Sequence, residues 1–215
     1  QSDNSIVQER RLVDYCTHLS ADGVLLVLSS ETADLQHLDV LHEVGIPVVL
    51  LDKTIDTTKY TTITIDDEEA GREAAEYLMA RGHTRVVGVF GDQRQRISSM
   101  RLKGFRRAHI ERALPLEESQ ILRVTLMSEL DEQLTRAFAT HPDISAIFAM
   151  TDELLVHTHY LLARRGTRVP DDVSLISISD GQAPTFLHPN VTHIRHSGME
   201  VGERTAHILI GMIEH

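Results

Sequence analysis

The sequence has little of several features that would define whole classes of protein. It contains one cysteine, Cys16, so it forms no internal disulfide, which fits a reducing compartment. Cys16 itself is interpreted as a packed helix residue and not as a nucleophile. No apolar run approaches the ~18 residues of a membrane-spanning helix. Residues 1–11 lack the apolar segment of a signal peptide, although a mature periplasmic protein would also have lost one. We expect a cytoplasmic protein.

Positive charge is also scarce. The chain of 215 residues carries 21 Lys and Arg against 32 Asp and Glu, which gives a net charge of −11. A protein surface that grips a phosphate backbone normally needs a basic face, so this segment itself is not expected to bind nucleic acid. The hydrophobic fraction of 41% is ordinary for a globular protein, and the length suits one large domain or two small lobes.

The usual signatures of catalysis and metal binding are missing. There is no H-E-x-x-H, P-loop, G-x-S-x-G or G-x-G-x-x-G pattern. Thirteen histidines are present, but His157 and His159 are two residues apart on a predicted helix and point in different directions. His193 and His196 would lie on opposite sides of a strand. We therefore predict no enzyme activity, no metal site and no cofactor.

What the chain does have is a regular alternation of apolar runs and amphipathic stretches. Short continuous apolar runs suit strands buried on both faces of a parallel sheet, and helical periodicity marks the stretches between them. The predicted helices are 6–19, 32–44, 66–82, 98–113, 130–139, 152–165 and 201–213. The predicted strands are 24–28, 47–51, 63–65, 86–90, 121–124, 144–149 and 173–178. This order predicts an α/β protein of right-handed β-α-β units.

Small polar residues follow several of the predicted strands. In open α/β sheets, ligands bind beside the carboxyl ends of the strands, so these residues are placed where a small polar molecule would be met. Thr151 is also placed to cap the following helix, which explains it without any ligand. The predicted ligand-binding residues of this kind are Asp52, Lys53, Thr151, Asp152, Ser179 and Asp180.

Arg101 is the most informative charged residue. It is predicted in the first turn of a helix opened by Ser98 and Ser99, where the helix dipole disfavours a cation. Such an arginine usually has a compensating partner, either a carboxylate or a ligand rich in hydroxyl groups. The alternative is a solvated arginine on the rim of the site. Four acids at 66–69 open another predicted helix, and its dipole is sufficient to explain them.

Four short motifs occur in the order and spacing of a known family. They are R-G-H-T-R-V at 81–86, S-M-R-L-K-G-F at 99–105, I-F-A-M-T-D at 147–152 and V-P-D-D-V-S-L-I at 169–176. Each motif is weak alone, but together the chain resembles the effector-binding domain of the lactose/galactose-repressor family of bacterial transcription regulators. The resemblance covers essentially all of the sequence.

The resemblance implies a fold of two doubly wound parallel-sheet lobes of the periplasmic-binding-protein type, with a ligand cleft between them. The crossovers between lobes would lie near Asp66 and at 195–197. Residues 1–65 with 198–215 would form the N-terminal lobe, and residues 66–197 the C-terminal lobe. Compared with the family, the N-terminal lobe is expected to be incomplete, because the first strands and the last strand are missing.

The resemblance also implies a function. Regulators of this family are dimers with a separate helix-turn-helix headpiece, which is absent here, and a small effector, most often a sugar, alters operator affinity. Arg101 matches the arginine that contacts sugar hydroxyls. Thr151 and Ser179 stand where the family commonly has asparagine and aspartate, so Asp152 and Asp180 are candidates to substitute for them. By resemblance, the helices 6–19 and 152–165 would make dimer contacts.

An alternative function uses the same fold. A solute-binding protein of a sugar transporter captures its ligand without switching DNA binding. The upstream sequence discriminates the two, because a basic helix-turn-helix indicates the regulator, whereas a signal peptide or lipobox cysteine indicates the transporter component. An enzyme of doubly wound fold is a third class, which the missing motifs disfavour.

Overall fold

The computed structural model describes residues 1–55 and 57–214. Asp56, in the predicted loop 54–62, and His215, the last residue of the predicted N-terminal lobe, lie outside them. The helices are α1 Ile6–His18, α2 Asp39–Glu43, α3 Asp67–Met79, α4 Arg96–Glu111, α5 Leu130–Thr140, α6 Asp152–Arg164, α7 Gln182–Phe186 and α8 Gly198–Glu214. The strands are β1 Val24–Leu26, β2 Val48–Leu51, β3 Thr61–Ile63, β4 Val86–Phe90, β5 Ile121–Arg123, β6 Ala146–Ala149, β7 Ser174–Ser179 and β8 Thr192–Arg195. None of the described helices is long and apolar enough to cross a membrane.

The chain forms two compact units. Unit 1 comprises Gln1–Ile65, Gln95–Ile97 and Ser197–His215. Unit 2 comprises Asp66–Arg94 and Ser98–His196. Each unit has its own sheet, with its own helices packed on it.

Unit 1 is built on a parallel sheet of three strands in the order β1-β2-β3. The apolar strand residues and the inner faces of α1 and α2 form one core, because each element alternates between apolar and polar faces with its own period. Cys16 packs against this core, as predicted for a helix residue. The buried core residues are Val13, Leu28, Leu38, Leu41, Ile46, Val48, Leu50 and Tyr60.

Unit 2 is built on a parallel sheet of five strands in the order β5-β4-β6-β7-β8. The chain runs outward from β4 to β5 and then returns to the other side of β4 to continue through β6, β7 and β8. The strand order therefore reverses between β4 and β6. In open α/β sheets such a switch point opens a crevice at the carboxyl ends of the two strands, where ligands bind.

Aromatic packing fixes α4 over this switch point. Phe105 of α4 lies 5.5 Å from Phe90 of β4 and 6.0 Å from Phe148 of β6, measured between ring centroids. Gly88 leaves space for these rings, because a Cβ at that position would lie 2.3 Å from the Phe90 ring. The three rings tie α4 to the two strands that border the crevice.

Helices α3 and α4 contact each other backbone to backbone. A Cβ on Gly104 would lie 1.9 Å from the carbonyl oxygen of Glu68, and one on Gly71 would lie 2.3 Å from the carbonyl oxygen of Arg101. No side chain fits at either position, so the two glycines permit the close approach. The approach brings the first turn of α3 against the middle of α4.

One long predicted helix is wrong. The region predicted as 32–44 forms only a 3₁₀ turn at Gln36–Leu38 followed by the short α2. The side chain of Asp34 accepts a hydrogen bond from the backbone N–H of Gln36 at 3.0 Å. An aspartate that bonds its own backbone two residues ahead competes with helix formation, and hydrophobic periodicity does not report this.

The other differences are shifted element ends and short elements near the C-terminus of unit 2. The strand predicted at 86–90 is confirmed as β4. Helix α4 begins at Arg96 and not at Ser98, so Arg101 lies in its second turn and the predicted first-turn position is wrong. Strand β7 continues to Ser179, one residue beyond its predicted end. Helix α7, which follows a left-handed Gly181, and strand β8 were not predicted.

Candidate functional site

Arg101 lies at the switch point of unit 2 and is buried. Only 3% of the residue is exposed, so the interpretation as a solvated arginine is wrong. Its Nε donates to Asp67 Oδ1 at 2.9 Å, and its Nη1 donates to the carbonyl oxygen of Met150, directly after β6. The partner is thus a carboxylate, one of the two kinds that the sequence suggested. These contacts hold the guanidinium beside the end of β6.

Asp67 is the residue whose role the sequence interpretation missed. Asp66 caps α3 by accepting from the backbone N–H of Glu69 at 2.9 Å, whereas Asp67 is 3% exposed and faces α4. Glu68 also contacts α4, through Lys103 at 2.7 Å. The prediction that the dipole of α3 is sufficient to explain these acids is therefore wrong. The sequence suggested that Arg101 needs a carboxylate partner. It does not show which of the four adjacent acids at 66–69 is that partner.

Ser98 is a second candidate site residue, which the sequence pattern indicated only as the start of a helix. It is fully buried, and its Oγ has no hydrogen-bond partner among residues 1–55 and 57–214. A Cβ added to Gly91, the residue after β4, would lie 2.9 Å from this Oγ. Buried hydroxyl groups are normally hydrogen-bonded, so the unpaired one beside the end of β4 is an exception that marks this strand end.

Thr151 and Asp152 connect β6 to α6. The Thr151 side chain accepts from the backbone N–H of Leu154 at 3.4 Å, which confirms the predicted helix cap. Asp152 is half-buried, and its Oδ1 is buried without a hydrogen-bond partner in the described part of the chain. Two residues that were predicted from the strand end therefore lie next to Met150, which holds Arg101.

Ser179 and Asp180 end the neighbouring strand β7. Ser179 is 1% exposed, and its Oγ accepts from the backbone N–H of Gly181 at 3.0 Å. Asp180 is exposed, and its Oδ1 accepts from the backbone N–H of Gln182 at 3.1 Å. Both side chains shape the turn that leads into α7. The Ser179 hydroxyl accepts one bond there and retains its proton for donation.

Asp52 and Lys53 belong to unit 1, after β2. Asp52 is exposed and has a left-handed backbone with φ of 59°, a conformation that aspartate tolerates better than most residues. Its N–H donates to the carbonyl oxygen of Ile63 at 3.2 Å. Lys53 Nζ donates to Asn4 Oδ1 at 3.2 Å. The strand end of unit 1 thus presents one exposed carboxylate and one tethered ammonium group.

Unit 1 also buries a carboxylate beside its strand ends. Glu9, in the first turn of α1, is 1% exposed and accepts from the backbone N–H of Ser29 and from Thr32 Oγ1, the latter at 2.8 Å. His37 Nε2 lies 2.8 Å from Glu9 Oε1, an ion-pair distance at an angle that does not meet hydrogen-bond geometry. The sequence pattern indicates no role for these residues.

The structure therefore brings five of the predicted residues together at two neighbouring strand ends of unit 2, and it places the other two in unit 1. The residues supply hydrogen-bond donors and acceptors for a polar molecule. Among residues 1–55 and 57–214, no group of three His, Cys, Asp or Glu side chains is arranged to hold a metal ion. The five residues are Arg101, Thr151, Asp152, Ser179 and Asp180.

Comparison with known proteins places the chain in a family. Residues 75–215 match the family described as periplasmic binding protein-like domain. The chain is 28% identical over 182 residues to the HTH-type transcriptional regulator DegA of Bacillus subtilis, covering 84% of this chain and 54% of that protein. It is 28% identical over 210 residues to the HTH-type transcriptional repressor PurR of Vibrio cholerae, covering 96% and 62%. This chain therefore spans 54–62% of the length of these two relatives.

Solved structures agree with this family. The transcriptional regulator CelR in complex with cellobiose is 25% identical, with a TM-score of 0.85 over 98% of this chain and 64% of that one. The predicted α/β fold of periplasmic-binding-protein type is confirmed, with one parallel sheet in each unit. The relatives are transcription regulators and not enzymes, as predicted. The chain belongs to the lactose-repressor (LacI) family of transcription regulators, of which it is a periplasmic-binding-protein-like, effector-binding domain.

Proposed function

We propose that this domain senses a small polyhydroxylated metabolite, a sugar or a sugar derivative. Units 1 and 2 would be its two lobes, with residues 1–65 and 198–215 in one and 66–197 in the other, and the ligand would bind between them. The observation that carries this proposal is the buried, anchored Arg101 at the switch point of the unit 2 sheet. An arginine held in this way donates hydrogen bonds in a fixed geometry before any ligand arrives.

The mixture of groups suits hydroxylated ligands, because each hydroxyl both donates and accepts. Arg101 would donate to ligand hydroxyls, and Asp152 and Asp180 would accept from them. Asp52 and Lys53 of unit 1 would contribute from the other lobe. The relative CelR was solved with cellobiose, which supports a carbohydrate as the ligand class.

We further propose that the full-length protein is a cytoplasmic dimer that carries a separate helix-turn-helix headpiece. The relatives are named as HTH-type regulators, which favours this reading over a transporter component. Helices α1 and α6 expose large apolar side chains, with Val7 56%, Tyr15 58% and Tyr160 55% exposed, and these faces suit contacts between protomers. Effector binding would change operator affinity through the dimer.

The test is a thermal-shift screen against neutral sugars, sugar acids, sugar phosphates and nucleobases. A ligand at about 100 times its Kd should stabilise the fold by about 2.7 kcal/mol. Arg101→Lys keeps the charge but loses the planar fork, so a hit should weaken at least tenfold, whereas Arg136→Lys on an exposed helix face should leave it unchanged. A hit that Arg101→Lys binds as tightly as the parent protein would refute the role of Arg101.

A further inference from the structure

The charge of Arg101 is offset within unit 2 before any ligand binds. The side chains of Arg101 and Asp67 are 4% and 3% exposed, and Nε and Oδ1 are 2.9 Å apart. Solvent therefore screens this pair far less than it screens a surface ion pair. The hydrogen bonds to Asp67 and to Met150 use two of the five N–H groups of a guanidinium. The arginine is a hydrogen-bond donor whose positive charge is largely masked.

The surrounding strand ends do not restore positive charge. The acids that follow the strands outnumber the bases, and one of the bases, Arg94, is already paired with Asp92 at 2.9 Å. Asp152 adds a buried Oδ1 without a partner in the described residues, next to the carbonyl that Arg101 contacts. The charged residues at this edge are Asp92, Asp152, Glu153 and Asp180 against Arg94, Arg123 and Arg195.

We propose that Asp67 is the specificity-determining residue of the effector site. By masking the charge of Arg101, it makes the site accept uncharged polyhydroxylated ligands and reject their phosphorylated or carboxylated analogues. This inference deepens the proposed function and rests on the same site. An uncharged hydroxyl can accept from Arg101 without repulsion, whereas a phosphate placed there would meet the carboxylates of Asp67 and Asp152 in a poorly screened environment.

The position of Asp67 directs its carboxylate at Arg101. Asp67 is set by the cap at Asp66 and by the close approach of α3 and α4 at Gly71, which faces the backbone of Arg101 itself. Glu69 lies in the same turn of α3, but its carboxylate pairs with Arg72 at 2.6 Å and with Arg107, and not with Arg101. Removing one charge from either position therefore changes the net charge of the domain equally, but only the change at Asp67 unmasks the site.

The experiment compares the unaltered domain with Asp67→Asn, Asp67→Glu and the matched control Glu69→Gln, using inorganic phosphate as the probe. Binding is followed by titration calorimetry and by phosphorus NMR line width. We expect Asp67→Asn to bind phosphate at least about tenfold more tightly than the unaltered domain. Asp67→Glu, which keeps the charge, and Glu69→Gln should both resemble the unaltered domain.

Several outcomes would overturn the inference. They are phosphate binding by the unaltered domain that Arg101→Lys abolishes, a folded Asp67→Asn that gains no phosphate affinity, or an equal gain in Glu69→Gln. If Asp67→Asn does not fold, Asp67→Ser is the second neutral variant. The unaltered domain provides a further test without any substitution. The inference requires it to bind a neutral sugar more tightly than the phosphate ester of the same sugar.

Different results would refute the proposed sensing function and the proposed role of Asp67. A domain that binds a sugar phosphate more tightly than the neutral sugar, through Arg101, retains the proposed sensing function and loses the inference about Asp67. A domain that binds none of the screened sugars, while Asp67→Asn gains phosphate affinity, loses the sugar-sensing function and retains the charge mask.

Discussion

Each unit buries a charged cluster beside its strand ends, but the two units stabilise that charge in different ways. In unit 1, the Glu9 carboxylate is held by a backbone N–H and by the hydroxyl of Thr32, with His37 alongside. In unit 2, Arg101 is held by the opposite charge of Asp67 and by one carbonyl oxygen. In the first arrangement hydrogen-bond donors hold the carboxylate, and in the second a carboxylate pairs with the guanidinium as its counter-charge.

The difference determines how each cluster depends on the fold. The partners of Glu9 come from one continuous segment, residues 29–37, that contacts α1. The pair of Asp67 and Arg101 joins two helices, and it exists only because Gly71 and Gly104 let those helices touch. The unit 2 site should therefore be the more sensitive of the two to changes in helix packing and to loss of one partner.

The largest effect is expected from Asp67→Ala, which tests whether unit 2 depends on charge pairing. Removing one member of a buried pair leaves an uncompensated charge, and we expect a loss of about 3–5 kcal/mol in the free energy of unfolding. Urea denaturation measures it. The double variant Asp67→Ala/Arg101→Leu should recover most of the loss, because no unpaired charge remains buried. A single-variant loss below about 1 kcal/mol would show that solvent reaches the pair.

Gly104→Ala tests the contact between α3 and α4 on which the pair depends. The added Cβ would lie 1.9 Å from the carbonyl oxygen of Glu68, so the helices must separate, and we expect a loss of about 3 kcal/mol. Gly202→Ala on α8 is the control, since nothing lies within 4 Å of its added Cβ. That control should gain about 0.5–1 kcal/mol from helix propensity. Equal stability changes in the two variants would contradict the close approach.

Glu9→Gln tests the cluster of unit 1 while keeping its shape. The variant loses the charge on the hydrogen bonds from Ser29 and Thr32, and it turns an amide group toward groups that donate. We expect a loss of about 1–3 kcal/mol in thermal or urea unfolding, less than for Asp67→Ala. Glu31→Gln is the control, because that exposed side chain accepts from the N–H of Ile6. A loss from Glu9→Gln equal to that from Asp67→Ala would remove the distinction between the two units.

The smallest expected effect concerns pH and His109 in unit 2. Burial against Phe105 lowers the pKa of His109 below its usual 6.5, partly offset by the hydrogen bond from Nδ1 to the Phe105 carbonyl. The pKa of His109 is lower in the folded state than in the unfolded state. The contribution of this histidine to the free energy of unfolding is therefore fully present above pH 6.5. It falls by about 1.4 kcal/mol per pH unit as the pH drops from there toward the folded-state pKa. His109→Gln should flatten this fall, as measured by urea unfolding at several pH values.

The control for the pH experiment is His207→Gln, on an exposed face of α8. Burial also lowers the pKa of His83, so some acid sensitivity should remain in His109→Gln. An unchanged pH slope in His109→Gln would contradict the assignment of the sensitivity to this histidine.

Local pattern was sufficient for most of the fold. Continuous apolar runs such as Val86–Phe90 predict buried parallel strands, because only a sheet covered on both faces excludes water from every residue of a run. The sequence also predicted the polar residues after those strands and a compensating partner for Arg101. Hydrophobic periodicity failed at residues 32–44, where the side chain of Asp34 competes with the helix for the backbone.

The identity of the partner of Arg101 was decided by packing. The four acids at residues 66–69 are adjacent, and the sequence does not distinguish their roles. The approach of α3 to α4 buries one of them against the guanidinium. The buried hydroxyl of Ser98 and the cluster around Glu9 likewise depend on which surfaces meet. Secondary structure follows from interactions over a few residues. Contacts between distant segments depend on the three-dimensional arrangement of whole elements, and local sequence patterns do not specify that arrangement.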